Sequence, residues 1–256
     1  MKGLSLVLCL LALTACPRGR VQLPHVQNAT KTVDETLADA DAAYAARPDA
    51  AQVRRAIELY QSAAGADPQR PEGAIGVIRC VAWLVEHGAK EDRKTLVAQA
   101  LAAGNQCQLR TPGTPQCNYW QAVARGIDGR EHPSRGIPDL KNIVALLKKA
   151  DADAPMLEDA GPSRVLALAL VRAPGWPVGP GNPDEALVAA KKAVELVPNH
   201  PLNQLVLGEC LAATDDAAGA KAAYEKGLEL ARQRTDSDGK DWVEQAEKAL
   251  KKLAGQ

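Results

Sequence analysis

Arg164 and Arg172 stand eight residues apart in the stretch "GPSRVLALALVR". On an ideal helix such positions lie about 80° apart, loosely on one side. Two planar guanidiniums placed there could clamp a carboxylate. They could equally tie helix ends to the loop that follows, and this structural reading is favoured for both. Tyr119 and Trp120, adjacent in "QCNYWQAV", could line a cavity but read better as core. Asn203 and Glu209 either face a concave groove or brace a neighbouring helix, and the sequence leaves the two readings balanced. The segment 172–187, "RAPGWPVGPGNPDEAL", places Trp176 among four prolines and three glycines. Trp176 is expected to fold back onto the helices and pin this break, ahead of a ligand contact.

Other chemistry finds no support. The sequence has no G-x-S-x-G, P-loop or G-x-G-x-x-G motif, so it lacks the nucleophile elbow and the phosphate cradles those spacings build. No enzyme activity and no cofactor are expected. The four histidines (25, 87, 132 and 200) are scattered and no C-x-x-C occurs, which leaves no zinc-like ligand set. Asp151 and Asp153, in "KKADADAP", read as a helix end. Acidic and basic residues balance at 31 each, so no electrostatic footprint for nucleic acid stands out.

The elements that must position these residues begin with the N-terminus, "MKGLSLVLCLLALTACPRGR". Lys2 precedes an apolar run from Leu4 to Leu13, too short for a permanent membrane span and of the length of a secretory signal core. "LTAC" at 13–16 resembles the lipobox of bacterial lipoproteins. The resemblance implies cleavage before Cys16, lipid attachment at its thiol, and anchoring in the periplasm, with Pro17 favouring the outer membrane. An ordinary secretory signal is the weaker alternative. The chain thus divides into a signal peptide (1–15), a lipidated tether (16–30) and a single helical domain (31–256).

Phe is absent, aromatics make up 3% of the chain, and Ala and Leu dominate. This composition suits close helix packing better than a β-rich core. The expected class is all-α, with about eleven helices in antiparallel pairs forming a curved array or bundle. Helices are expected near 31–46, 51–65, 71–88, 91–103, 115–127, 138–150, 156–171, 184–196, 202–213, 217–232 and 240–253. The stretch 128–137, "DGREHPSRGI", reads as a polar loop. Of the cysteines left after cleavage, Cys107 and Cys117 flank the turn "QLRTPGTPQ", a spacing that suits a local disulfide. Cys80 and Cys210 read as buried small hydrophobes.

A periodicity runs through these helices. Ala56, Tyr60, Ala63 and Pro68 fall at offsets 0, 4, 7 and 12, and Ala186, Ala190, Ala193 and Pro198 repeat them. Offsets 0, 4 and 7 share one helical face, and Pro cannot continue a helix. Leu207, Gly208, Leu211, Ala220, Tyr224 and Gly227 extend the frame. The pattern resembles the tetratricopeptide repeat, well over residues 37–70 and 183–231. Residues 71–171 carry no clean signature and leave repeats or an irregular bundle open.

A more particular resemblance covers 161–213. Gly161, Pro162, Arg164, Ala173 to Pro177, Gly181, Asn182, Pro183, Ala193 to Leu196, Pro198, Asn203, Leu205, Leu207 and Glu209 are similar to the pattern of the periplasmic TPR-type lipoproteins associated with TRAP transporters, the T components. The resemblance implies a trimerising periplasmic lipoprotein that docks the solute-binding protein of such a transporter. Two alternatives stand beside this adaptor reading: a carrier of a hydrophobic or organic-acid ligand in a central pocket or pore, and a structural factor in outer-membrane assembly or secretion.

Overall fold

The computed structural model describes residues 31–255. The signal peptide, Cys16 and the tether lie outside the described residues. Among those described, eleven α-helices follow one another: α1 (Val33–Ala45), α2 (Ala50–Ala66), α3 (Pro71–His87), α4 (Arg93–Arg110), α5 (Pro115–Glu131), α6 (Pro133–Asp153), α7 (Gly161–Arg172), α8 (Pro183–Leu196), α9 (Pro201–Ala213), α10 (Ala217–Arg232) and α11 (Ser237–Ala254). No strand occurs among the described residues.

Local chemistry sets where these helices start. Pro71, Pro115, Pro133, Pro183 and Pro201 each open a helix, where a fixed φ helps and the missing N–H has no intrahelical partner to lose. Others carry side-chain caps. Thr32 and Glu35 form a reciprocal capping box on α1, and Asp49, Asn182, Asp216 and Asp236 accept first-turn amides of α2, α8, α10 and α11. Such a cap is worth about 1 kcal/mol.

Each helix packs on its successor, and the connections are mostly short, so neighbours run antiparallel. Successive odd-numbered helices also touch one another, whereas even-numbered ones make no comparable contact. The odd helices therefore form the tighter inner layer and the even helices splay on the outside, which curves the array. This alternation runs unbroken through residues 71–171, so the middle of the chain stacks in pairs rather than as an irregular bundle. Alanines of the repeat frame (Ala56, Ala186, Ala190, Ala193 and Ala220) have no exposed surface. Tyr60 lies flat on Gly76, where an added Cβ would come within 2.4 Å of its ring, and Tyr224 lies on Gly208 in the same way, at 2.6 Å.

Three expectations about helix limits are corrected. The stretch 128–137 is not a loop: α5 runs to Glu131, α6 starts at Pro133, and only His132 separates them. Gly129 and Gly136 bring the two backbones into direct contact, since a Cβ on Gly136 would sit 2.5 Å from the Gly129 Cα. Glycines that look like loop residues are a packing contact between helices. Likewise α4 passes Gly104 and ends at Arg110, because Gly104 makes room for the Gln121 side chain. The start of α7 also moves, from the expected 156 to Gly161.

The C-terminal helix returns to the start of the array. Arg47, in the α1–α2 turn, pairs with Asp238 of α11 at 3.1 Å. His87 Nε2 lies 2.9 Å from Asp241 and its ring stacks on Trp83. The seam between the first and last helices holds an open cleft of about 280 Å³ lined by Arg47, Pro48, Trp83, His87 and Lys240, among others.

Candidate functional site

The residues singled out in the sequence gather around α7, α8 and α9. The α6–α7 turn places Glu158, Asp159 and Ala160 at φ of 49°, 54° and 63°, left-handed conformations that side chains with a Cβ resist. Arg164, 8% exposed, holds this turn. Its Nη1 donates to Asp159 O (2.9 Å) and to Asn203 Oδ1 (2.8 Å), and its Nη2 donates to Glu158 O (3.1 Å). Asn203, fully buried, donates from Nδ2 to the carbonyls of Asp159, Ala193 and Val197. One arginine and one asparagine thus tie the left-handed turn, the end of α8 and the start of α9 together. All of this hydrogen bonding is internal, so Arg164 and Asn203 are scaffold.

Arg172 does meet a carboxylate, but an internal one. Its Nε and Nη2 donate to Glu209 Oε1 and Oε2 at 2.7 Å each. Glu209 holds the guanidinium firmly charged. The same pattern recurs between inner-layer helices: Arg79 of α3 donates to Asp41 of α1 at 2.8 Å, and Arg130 of α5 pairs with Glu86 of α3. A carboxylate clamp between Arg164 and Arg172 is not assembled, because both guanidiniums are already engaged with internal partners.

Tyr119 and Trp120 are buried, with their rings 5.1 Å apart edge to face. Burial pushes the Tyr119 hydroxyl well above its ordinary pKa. Cys107 and Cys117 form a disulfide between the end of α4 and the start of α5. Cys80 and Cys210 are free and buried, and burial raises each thiol to about 12. No group of three metal-ligating side chains occurs among the described residues.

Trp176 departs from expectation. It is 90% exposed and rests on no helix. Its loop is nonetheless firmly built. Val178 and Gly179 amides donate to Gly175 O, Gly181 N to Pro174 O, and Asn182 N to Leu170 O, at 2.9–3.1 Å. Gly175 and Gly181 pair in a single bridge. The loop glycines serve close approach rather than unusual turns. A Cβ on Gly179 would meet Pro174 O at 2.6 Å, and one on Gly181 would meet Ala173 O at 2.2 Å. Backbone contacts satisfy the loop by themselves, so the indole is not needed inside and is displayed at the tip with Val178, itself 62% exposed. Sequence reasoning missed this because a lone Trp among prolines looks like a plug. The signal available was that 173–183 holds only Val178 as a further large apolar side chain outside its prolines.

A deep enclosed pocket is not evident among the described residues. Besides the seam cleft there is an open hollow of about 350 Å³, lined by Asn199, Pro201, Lys226, Glu229, Leu230, Gln233 and Arg234.

Residues 178–239 match the tetratricopeptide repeat family, the part of the chain where the repeat frame is cleanest. Among solved structures, the chain is similar to a thermophilic TPR protein of Thermus thermophilus. Identity is 22% and the TM-score 0.64, over 86% of this chain and 99% of that one. It is also similar, at 16% identity and a TM-score of 0.46, to the MamA protein, over 78% of this chain and 92% of that one. No curated protein matches the sequence. Fold and repeat together define an all-helical protein of TPR-like architecture, a class built around protein–protein contact.

Proposed function

We propose that this protein is a lipid-anchored periplasmic adaptor that binds another protein through its curved helical array. The observation that carries the reading is the unbroken stack of antiparallel helix pairs, TPR in its C-terminal third. Such a stack presents large inner and edge surfaces among the described residues. The resemblance over 161–213 supports a narrower partner, the solute-binding component of a TRAP transporter, and a trimeric assembly. The lipobox at Cys16 supports anchoring, and the Cys107–Cys117 disulfide accords with an oxidising envelope compartment.

The test is affinity capture with the full mature chain, paired with solute uptake in a deletion strain. The expected result is recovery of a solute-binding protein and impaired uptake of its solute. Absence of both would remove the transporter reading.

A second reading, carriage of a small organic acid, draws on the seam cleft. Arg47 Nε and Trp83 Nε1 are buried there without hydrogen-bond partners among the described residues, and Lys240 of α11 lines the same cleft. Native mass spectrometry of the purified chain would show a bound acid if this reading holds.

A further inference from the structure

Consecutive antiparallel helices place the turns of the array on two opposite edges. The α7–α8 loop lies on the edge shared with the α1–α2, α3–α4, α5–α6 and α9–α10 turns. Residue 31 enters α1 at the other edge. A hydrogen-bonded tongue that displays an indole to water forgoes the burial an aromatic ring ordinarily gains. Exposed apolar anchors on a fixed scaffold are the usual form of a binding hot spot.

The charge around the tongue selects its partner. Residues 173–190 contain Asp184 and Glu185 and no Lys, Arg or His. The α9–α10 turn adds Asp215 and Asp216, with no cation between 210 and 220. The cations on the flanking segments are taken up, Lys148 by Glu185, Arg172 by Glu209, Arg130 by Glu86 and Arg135 by Asp128, whereas Asp184, Asp215 and Asp216 make no ion pair among the described residues, so the unpaired charge beside the tongue is negative. An acidic surround repels anionic lipid headgroups, and the tongue lies on the edge away from the chain's entry to the array. On a second copy of this chain, the hollow beside α10 is lined largely by polar side chains, and the seam cleft sets Asp236 and Asp241 beside Arg47 and Lys240, a rim of mixed charge that suits an acidic tongue less well than a purely basic one.

We infer that Trp176 and Val178 form a docking tongue that inserts into an apolar slot of a partner protein whose rim carries Lys or Arg. This rests on the adaptor reading above and names the surface through which it works.

The test uses the full chain in its own cells, with a photo-cross-linking phenylalanine at position 176. Parallel probes stand at Leu109, exposed on the opposite edge, and at Leu168 of the inner layer. A protein adduct at 176 and not at 109 is expected, with cross-linked residues mapping to an apolar slot rimmed by Lys or Arg. For the purified pair, Trp176→Ala should raise Kd at least tenfold with its melting temperature unchanged. Asp184→Lys should raise Kd severalfold, and added salt should weaken binding. A phospholipid adduct, a cross-link to a second copy, no adduct at 176, or an unchanged Kd for Trp176→Ala would each overturn the inference. A protein adduct at 168 with none at 176 would leave the adaptor reading standing and remove the tongue. No protein adduct at any probe would remove both.

Discussion

At the scale of single residues, the side chains with the richest chemistry are consumed by the structure, and the one displayed to solvent is chemically plain. Arg164 and Asn203 form a buried node on which three segments depend. Removing one partner of such a node leaves buried polar groups unpaired. Asn203→Ala should cost roughly 2–4 kcal/mol, read as a lowered denaturation midpoint in urea. Trp176→Ala should leave that midpoint within about 0.5 kcal/mol of wild type, since the indole buries almost nothing. The contrast between the two variants separates scaffold from surface. The sequence marked both positions and ranked Trp176 as the brace. An exposed and a buried Trp look alike until the loop's own hydrogen bonds are known.

At the scale of elements, glycine and histidine report how helices meet. Gly126 and Gly136 are both helical, but a Cβ on Gly126 meets nothing within 4 Å while one on Gly136 strikes the backbone of α5. Gly126→Ala should therefore stabilise by about 0.5–1 kcal/mol through helix propensity. Gly136→Ala should destabilise by about 1–3 kcal/mol by forcing α5 and α6 apart. Thermal melts of the two variants would show shifts of opposite sign. The α9–α11 contact carries a pH dependence. His200 is tucked against Trp242, ring centres 5.2 Å apart. Burial, helped by the Arg164 charge, lowers its pKa to about 4, against about 6.5 in an unfolded chain. The unfolded state then binds the proton first. This contribution is complete above pH 6.5 and is lost as pH falls from 6.5 towards 4, by on the order of 2 kcal/mol. His200→Gln should flatten the wild-type loss of stability between pH 7 and pH 5 in parallel urea titrations.

At the scale of the whole molecule, the array closes on itself through a polar seam. Arg47–Asp238 is a partly exposed ion pair, worth about 0.2–1 kcal/mol, and His87 Nε2 lies 2.9 Å from Asp241 beside it. Asp238→Lys/Asp241→Lys turns the Arg47 attraction into a repulsion and removes the carboxylate beside His87. It should enlarge the radius of gyration measured by small-angle X-ray scattering while leaving helix content unchanged. Thiol titration offers a separate whole-chain check. Without reductant, the denatured domain (residues 31–256) should present two thiols, Cys80 and Cys210, and with reductant four.

Helical class, helix number and the repeat frame were legible in the sequence, because they follow from local rules: 3.6-residue periodicity, prolines at helix starts, capping side chains and alanines on one face. The 128–137 turn and the end of α4 were not legible. Gly129, Gly136 and Gly104 are loop formers by propensity, and only a neighbouring backbone or side chain shows that the missing Cβ is used for contact. The same limit governed the site. Arg172 is a free guanidinium until Glu209, 37 residues away, is seen to take both donors. By itself the sequence determined that the described chain folds as paired helices, since burial of an Ala/Leu face is encoded within each segment. Which charges remain unpaired, which face is inner and where the displayed indole points depend on contacts between segments distant in the chain, and only the tertiary structure decided them.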